Sequence, residues 1–337
     1  MSDVNAADVI ELVSDLVRIE SVTPWLVPGG AGEGGVVAFM ADWLSDLPVE
    51  VVRDEIAPGR FNLVATLRGC GKGPTLCLNA HADTVGFANW PDTALVPRLE
   101  GDRLYGLGAA DDKGCCAAAL LAMRRLAATT RKGDLVVACV ADEEGASSGT
   151  EHLVTHLKAD AAVVLEPDAL PRVVTEHQGF GWIDVVVRGR SAHGSAPEEG
   201  VDAIVAMAEV VSLLHRWDVE QFAANPDPRN GRTVFHTGTI DGGTDYATYP
   251  SVCRLGIEVG TQTGETLATR VAEIEAIFDD VRRSMPELDA EVEIRLEREP
   301  FVAAGHEPLL ACFDRAARDT LGTELSRAGL NAWTDAA

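Results

Sequence analysis

Short apolar runs alternate with helical stretches over the first half of the chain. The strand-like runs are LPVEVVRDE (47 to 55), FNLVATL (61 to 67), TLCLNA (75 to 80), DLVVACVAD (134 to 142) and AAVVLEPD (161 to 168). A buried helix is predicted over GCCAAALLAMRRLAA (114 to 128). The first helix has an apolar face formed by Val9, Leu12, Val13, Leu16 and Val17. This βα order predicts a layered α/β domain.

The pattern changes near residue 178. From there the order is βαββαβ, over GWIDVVVRG, VDAIVAMAEVVSLLHRW, TVFHTGTI, CRLGIEVG, ETLATRVAEIEAIFDDVRRSM and AEVEIRLERE. That order is the ferredoxin-like split motif, which forms a compact unit by itself. A later helix (307 to 322) suits the first domain. We therefore predict a first domain of residues 1–177 and 298–337, interrupted by an inserted domain of residues 178–297.

The amino-acid composition indicates which binding partners and which cellular compartment to expect. The net charge is −25, with 53 acidic against 28 basic residues, so we expect neither a nucleic acid nor an anionic membrane as partner. The start of the chain lacks the basic and apolar regions of a signal peptide, and no apolar run is long enough to cross a bilayer. The seven cysteines form no CxxC pair. These features predict a cytoplasmic protein with reduced cysteines.

Side chains that bind metals follow the predicted strands. His81 and Asp83, in NAHADTVGF (79 to 87), come at the carboxyl end of TLCLNA, and residues two apart in a strand share a face. The pair therefore acts on one object, or one residue orients the other. Ligands of open α/β sheets bind at the carboxyl ends of strands. The other candidates in such positions are Asp111, Glu143, Glu144 and Glu166. Together they suit a zinc-like ion bound by nitrogen and oxygen.

Other motifs do not support competing sites. GLGAAD (106 to 111) begins like a dinucleotide loop, but Asp111 takes the place of the third glycine and would repel a pyrophosphate. GCGKG (69 to 73) lacks the P-loop spacing and predicts a hairpin turn. His152 and His156 have a spacing that suits a metal. However, no HExxH surrounds them and Lys158 follows closely, which favours a solvated helix face.

Five motifs in a fixed order resemble one family. They are NAHADTV, GLGAADDKG, ADEEGASSGT, LEPD and GRSAHGSAPEEGVDAI. They resemble the co-catalytic zinc amidohydrolases, which include acetylornithine deacetylase, succinyl-diaminopimelate desuccinylase, aminoacylase and carboxypeptidase G. The resemblance covers the chain from about residue 5 to its end. It implies a zinc-peptidase-like catalytic domain, and it casts the inserted domain as a lid and dimerisation surface of a homodimer.

The resemblance also implies a role for each candidate. His81 and Glu166 would bind one of two divalent ions, Asp111 would bridge both, and Glu144 would bind the second. The ions would be zinc, with cobalt or manganese as alternatives. Glu143 would be the general base. Asp83 would accept a hydrogen bond from the other ring nitrogen of His81 and fix its tautomer. The peptide bond between Asp111 and Asp112 would be cis.

His193, in SAHGSAP, would stabilise the tetrahedral oxyanion, in several relatives across the dimer interface.

One position departs from the family pattern. Where relatives carry an arginine that binds the substrate carboxylate, this chain has Gly260. Arg254 or Arg298 are alternative sources of that charge.

The chain stops at NAWTDAA, where relatives continue into a strand, a glycine-rich loop and a histidine that completes the second metal site. We therefore expect weak occupancy of the second site and reduced activity.

The sequence predicts a metal-dependent hydrolase of the amide bond in N-acyl amino acids. A dipeptidase or carboxypeptidase of the same family is the runner-up, and a catalytically impaired fragment is the third alternative.

Overall fold

The computed structural model describes residues 4–88, 90, 92–168 and 171–337. Contacts between α-carbons divide the chain into two compact units. The first comprises Met1–Ala169 and Thr334–Ala336, and the second comprises Leu170–Trp333 with Ala337. The predicted fold class, a layered α/β domain with a ferredoxin-like second domain, is confirmed.

The first unit contains short helices and strands in mixed order. Along the chain these are α1 (Ala6–Val17), α2 (Gly34–Trp43), β1 (Glu50–Ala57), β2 (Arg60–Leu67), β3 (Leu76–His81), β4 (Arg98–Glu100), β5 (Arg103–Tyr105), α3 (Lys113–Ala127), β6 (Leu135–Val140), α4 (Ser148–Val154) and β7 (Ala161–Val164).

Helix α1 shows why the amphipathic start folds as it does. Asn5 caps the helix by accepting hydrogen bonds from the backbone of Ala7 and Asp8, and the Asp8 carboxylate accepts one from the Asn5 backbone. The buried face consists of Leu12, Val13, Leu16 and Val17. Val9 was predicted on this face but is 40% exposed, because the core begins only beyond the first turn of the helix.

A five-stranded sheet in the order β1-β2-β6-β3-β7 forms the centre of this unit. Strands β3, β6 and β7 are parallel to one another, whereas β2 runs antiparallel to both β1 and β6. The loops after the three parallel strands therefore leave the sheet at one edge. The hairpin predicted over residues 69–73 is wrong, because β6 lies between β2 and β3 and the segment crosses to a non-adjacent strand.

A buried ion cluster fixes the loop that follows β6. Arg60, on β2, donates to both carboxylate oxygens of Glu33 at 2.5 and 2.6 Å and to Asp142 Oδ1 at 3.1 Å. Asp142 also accepts hydrogen bonds from the hydroxyls of Thr23 and Ser148, at 2.6 Å each. Burial would raise the pKa of Asp142, but these hydrogen bonds hold it below its usual value. With a φ of 69°, Asp142 turns the chain directly after the strand.

The second unit contains two sheets. Its elements are β8 (Arg172–His177), β9 (Gly179–Arg188), α5 (Ala203–Trp217), a π-helical turn (Asp218–Ala223), β10 (Phe235–Gly242), β11 (Val252–Thr261), α6 (Leu267–Ser284), β12 (Asp289–Arg298), β13 (Phe301–Val302), α7 (Glu307–Leu321) and β14 (Ser326–Leu330).

The larger sheet has the order β10-β11-β9-β12 with every neighbouring pair antiparallel, which is the predicted ferredoxin-like arrangement. Its strands share a core with α5 and α6, which includes Ile183, Val185, Met207, Ile274 and Phe278. The smaller sheet has the order β13-β8-β14.

The contact clusters differ from the predicted domain boundaries. Residues 171–177 and 298–333 group with the second unit because β8, β13 and β14 pair with one another. The functional division into a catalytic domain (1–177 and 298–337) and a lid (178–297) stays a prediction. Among the described residues, none of the helices combines the length and the apolar character needed to cross a bilayer.

Replacing Arg60 by Met should destabilise the protein by about 3 kcal/mol, because it removes one partner of a buried ion pair and leaves the Glu33 carboxylate uncompensated. Methionine keeps most of the apolar stem, so the loss reports the charge. Urea unfolding monitored by circular dichroism measures it. Arg68→Met is the control, since Arg68 also pairs with two carboxylates but is 65% exposed. An equal effect of both substitutions would contradict the buried-pair explanation.

Candidate metal centre

Three of the predicted ligands meet at the edge of the first sheet. His81 is the last residue of β3 and is buried, Asp111 precedes α3 and is exposed, and Glu166 lies two residues beyond β7. One ligand atom from each lies within 4.8 Å of the others. Imidazole nitrogen with carboxylate oxygens is a donor set that zinc and similar divalent ions accept.

The His81 ring is held on both sides. Its Nε2 lies 2.8 Å from Asp111 Oδ1 and 4.0 Å from Glu143 Oε2. Its Nδ1 lies 3.2 Å from the Asp83 carbonyl oxygen and 3.4 Å from Asp83 Oδ1. A proton on Nδ1 therefore has two acceptors in Asp83, of which the backbone carbonyl is the closer, and the predicted role of the Asp83 carboxylate in fixing the tautomer stays a prediction. With the proton on Nδ1, the Nε2 atom would be able to bind a metal ion beside Asp111.

The buried Asp83 carboxylate also holds the two adjacent glutamates. Its Oδ1 accepts a hydrogen bond from the Glu143 backbone N–H at 3.1 Å, and its Oδ2 accepts one from the Glu144 N–H at 3.2 Å. Asp83 thereby ties the end of β3 to the loop after β6. The contacts with the backbone of Glu143 and Glu144 were not predicted from the sequence, which indicated only a contact between Asp83 and His81.

The peptide bond between Asp111 and Asp112 is cis, as predicted. Asp112 is buried, and its Oδ2 accepts a hydrogen bond from the backbone N–H of His81 at 2.9 Å. Burial raises the pKa of Asp112 to about 7. This contact of Asp112 was not predicted, because a hydrogen bond between β3 and the start of α3 leaves no local signal in the sequence.

Burial and mutual repulsion dominate the electrostatics of the centre. Burial raises the pKa of Glu144 to about 7 and of Glu166 to about 8, with the neighbouring carboxylates adding to both shifts. Burial also raises the pKa of Glu143 well above its usual range. Burial would lower the pKa of His81, but its hydrogen bonds with Asp111 and Asp83 raise it. A divalent cation among these oxygens would offset the repulsion, so the residues fit a metal.

Not every predicted residue joins the group of three. Glu144 lies outside it, although its pKa responds to the charges of His81 and Asp111. Asp335, which the sequence analysis did not assign, is buried and accepts a hydrogen bond from the Thr150 hydroxyl at 2.6 Å. Its charge raises the pKa of both Glu143 and Glu166. Only folding brings the distant segment Thr334–Ala336 to the first unit.

His193 lies on an exposed loop of the second unit, after β9. Its Nδ1 is 2.8 Å from the Ser195 hydroxyl, and its backbone bridges to Thr248. The predicted role of His193 as oxyanion stabiliser stays a prediction.

Residues 77–337 match the family described as Peptidase family M20/M25/M40. The acetylornithine deacetylase of Vibrio cholerae is 32% identical over 209 residues, which is 61% of this chain and 54% of that enzyme. The acetylornithine deacetylase of Vibrio vulnificus is 30% identical over 307 residues, which is 89% of this chain and 77% of that enzyme.

Solved structures share the fold. A tripeptidase from Staphylococcus aureus superimposes with a TM-score of 0.78 at 24% identity, covering 99% of this chain and 87% of that one. The YXEP protein of Bacillus subtilis, described as a dinuclear metal binding peptidase, superimposes with a TM-score of 0.66 at 13% identity, covering 98% and 84%. At these identities the likeness supports the fold alone.

Replacing Asp83 by Asn should lower the free energy of unfolding by about 1–3 kcal/mol. Each carboxylate oxygen now accepts a hydrogen bond from one backbone N–H group, and in the variant the amide NH₂ would face one of these two donors. Urea unfolding measures the change. Asp227→Asn is a matched control. Asp227 also accepts hydrogen bonds from two backbone N–H groups, but both bonds go to Oδ1, an oxygen that asparagine retains. A similar loss in both variants would contradict the proposed bridging geometry.

Proposed function

The chain belongs to peptidase family M20/M25/M40 and is therefore an enzyme, and we propose that it hydrolyses the amide bond of N-acyl amino acids in a metal-dependent reaction. The acetylornithine or succinyl-diaminopimelate type of substrate is the leading candidate. The observation that carries the proposal is the group formed by His81, Asp111 and Glu166 at the sheet edge. The acetylornithine deacetylases at about 30% identity support the acyl amino acid over other amides.

One divalent ion fits the group of His81, Asp111 and Glu166, and we propose a second, more weakly bound ion beside it. His81 and Glu166 would bind one, Asp111 would bridge both, and Glu144 would bind the second. Zinc is the proposed metal, with cobalt and manganese as alternatives. Ions held in this way polarise an amide carbonyl and lower the pKa of a bound water. The number of ions in this proposal rests on the resemblance to the co-catalytic zinc amidohydrolases.

Glu143 is the proposed general base. Its Oε2 lies 4.0 Å from His81 Nε2, so its carboxyl group lies beside the proposed ligands. A carboxyl group whose pKa is raised by burial accepts a proton more readily than an ordinary glutamate. Glu143 would take the proton of the attacking water and deliver it to the leaving amine nitrogen. Asp83 keeps Glu143 in place through its backbone N–H.

Substrate recognition falls to the second unit in this proposal. His193 would stabilise the oxyanion, and the lid would form the surface of a cytoplasmic homodimer. An added Cβ at Gly260 would lie 2.6 Å from Gln178 Oε1, so a side chain at this position would require Gln178 to shift. Arg254 is paired with Glu293 at 3.3 Å, and the Arg298 guanidinium lies 5.9 Å from the Trp333 ring. These two arginines are the proposed alternatives for binding a substrate carboxylate.

A substrate panel tests the reaction class and separates it from the runner-up, a dipeptidase or carboxypeptidase. N-acetylornithine, N-succinyl-diaminopimelate and other N-acyl amino acids are compared with dipeptides by assaying the released amine. We expect hydrolysis of N-acyl amino acids that is lost on chelation and restored by zinc, cobalt or manganese. Hydrolysis of dipeptides alone would refute the deacylase and support the runner-up, and activity that survives complete metal removal would refute both.

Replacing Glu143 by Gln should reduce kcat by about 10²- to 10⁴-fold, because the amide cannot accept the proton. The metal content should not change, since Glu143 is not a proposed ligand. Steady-state kinetics and elemental analysis of the same preparation measure the two quantities. Glu11→Gln, on the exposed side of α1, is the control. A loss of metal equal to the loss of activity would assign Glu143 to metal binding instead.

A further inference from the structure

A second group of metal-binding side chains lies outside the proposed catalytic centre. It consists of Asp54 on the edge strand β1, His152 on α4 and His156 two residues beyond that helix. One ligand atom from each lies within 4.8 Å of the others. The sequence favoured a solvated helix face for the two histidines, because no HExxH motif surrounds them and Lys158 follows closely. Folding supplies Asp54 from about one hundred residues away.

The distances within the group match a coordination site. His152 Nε2 lies 3.3 Å from Asp54 Oδ1, and His156 Nε2 lies 3.2 Å from Asp54 Oδ2. Hydrogen bonds between an imidazolium and a carboxylate are shorter, about 2.7–2.9 Å. Two atoms that are each about 2.0–2.1 Å from a tetrahedral zinc ion lie about 3.3 Å apart. The observed separations are compatible with an ion bound between the side chains.

Hydrogen bonding fixes which nitrogen of His156 faces Asp54. The Thr155 hydroxyl donates its single hydrogen to the His152 carbonyl at 2.7 Å, so it can only accept from His156 Nδ1, 3.3 Å away. With the proton on Nδ1, the neutral ring turns the Nε2 lone pair toward a carboxylate oxygen. Such an arrangement is repulsive without a cation, and it is the tautomer that a metal-bound histidine requires.

The Asp54 oxygen atom that lies nearest to His156 lacks a hydrogen-bond donor among the described residues. This atom, Oδ2, is buried, and within the described part of the chain no group of suitable geometry donates a hydrogen bond to it. A buried carboxylate oxygen without a donor costs free energy that a cation would recover. The side chains of His152 and His156 are 39% and 49% exposed, so an ion has access from solvent.

We infer that Asp54, His152 and His156 bind a divalent transition-metal ion separate from the catalytic metals. Two imidazoles and one carboxylate select zinc, copper, nickel or cobalt over magnesium and calcium. Three protein ligands leave a position for water. Asp54 lies on the edge strand β1 and His152 lies on α4, which directly follows the loop of Glu143 and Glu144. The ion would therefore hold this helix against the sheet. Its role is structural, and it does not depend on the proposed reaction.

Zinc binding to the untagged chain tests the inference, by equilibrium dialysis and elemental analysis. The proteins compared are the unchanged chain, His152→Gln/His156→Gln, His81→Ala/Glu166→Ala, and the combination of all four substitutions. We expect the His152→Gln/His156→Gln protein to bind one zinc ion fewer than the unchanged chain. The His81→Ala/Glu166→Ala protein should retain that ion, and the combined variant should lose it. His215→Gln/His236→Gln, which removes two exposed histidines of the second unit, is the matched control.

Copper electron paramagnetic resonance on the His81→Ala/Glu166→Ala protein provides a second readout. We expect a signal with hyperfine coupling to two imidazole nitrogens, which the loss of His152 and His156 abolishes. Asp54→Asn, a nearly isosteric change, should weaken zinc binding while the fold is retained, as checked by circular dichroism. If the His81→Ala/Glu166→Ala protein binds no zinc, or the His152→Gln/His156→Gln protein binds as much as the unchanged chain, the group is an ordinary imidazole–carboxylate cluster and the inference is wrong.

Discussion

The crowding of carboxyl groups around one imidazole is the constraint on which the first unit depends. Burial raises the pKa of Glu143, Glu144 and Glu166, because each would carry its charge in a poorly solvated place beside other negative charges. A protein gains nothing in stability from such an arrangement by itself. The arrangement becomes favourable when divalent cations bind the carboxylates and offset their repulsion. This need for cations links the fold to metal-dependent hydrolysis.

The surrounding structure keeps these groups in place through charges that already have partners. Asp83 joins the end of β3 to the backbone of Glu143 and Glu144, and Arg60 joins β2 to Glu33 and Asp142. The glutamates are therefore held by their main chain, which leaves their side chains available for metal and proton. Rigid support of this kind allows a loop between two elements to serve as a site.

The group of Asp54, His152 and His156 follows the same physical logic on a smaller scale. A buried carboxylate oxygen without a donor faces two imidazoles, one of which has its tautomer fixed by a neighbouring hydroxyl. Both groups combine residues from a strand with residues from a loop or helix that follows another strand. In the second group, the unsatisfied Asp54 oxygen atom indicates the position that a cation would take.

The sequence by itself determined the βα rhythm, the ferredoxin-like order and six polar residues after strands, because periodicity and strand ends are local properties. His81, Asp111 and Glu166 could thus be placed together in advance. Only the tertiary structure decided that β6 separates β2 from β3, that Asp335 and Asp112 join the site, and that Asp54 faces two histidines. Strand pairing and contacts between distant segments depend on which surfaces bury one another, and no local pattern of residues records that choice.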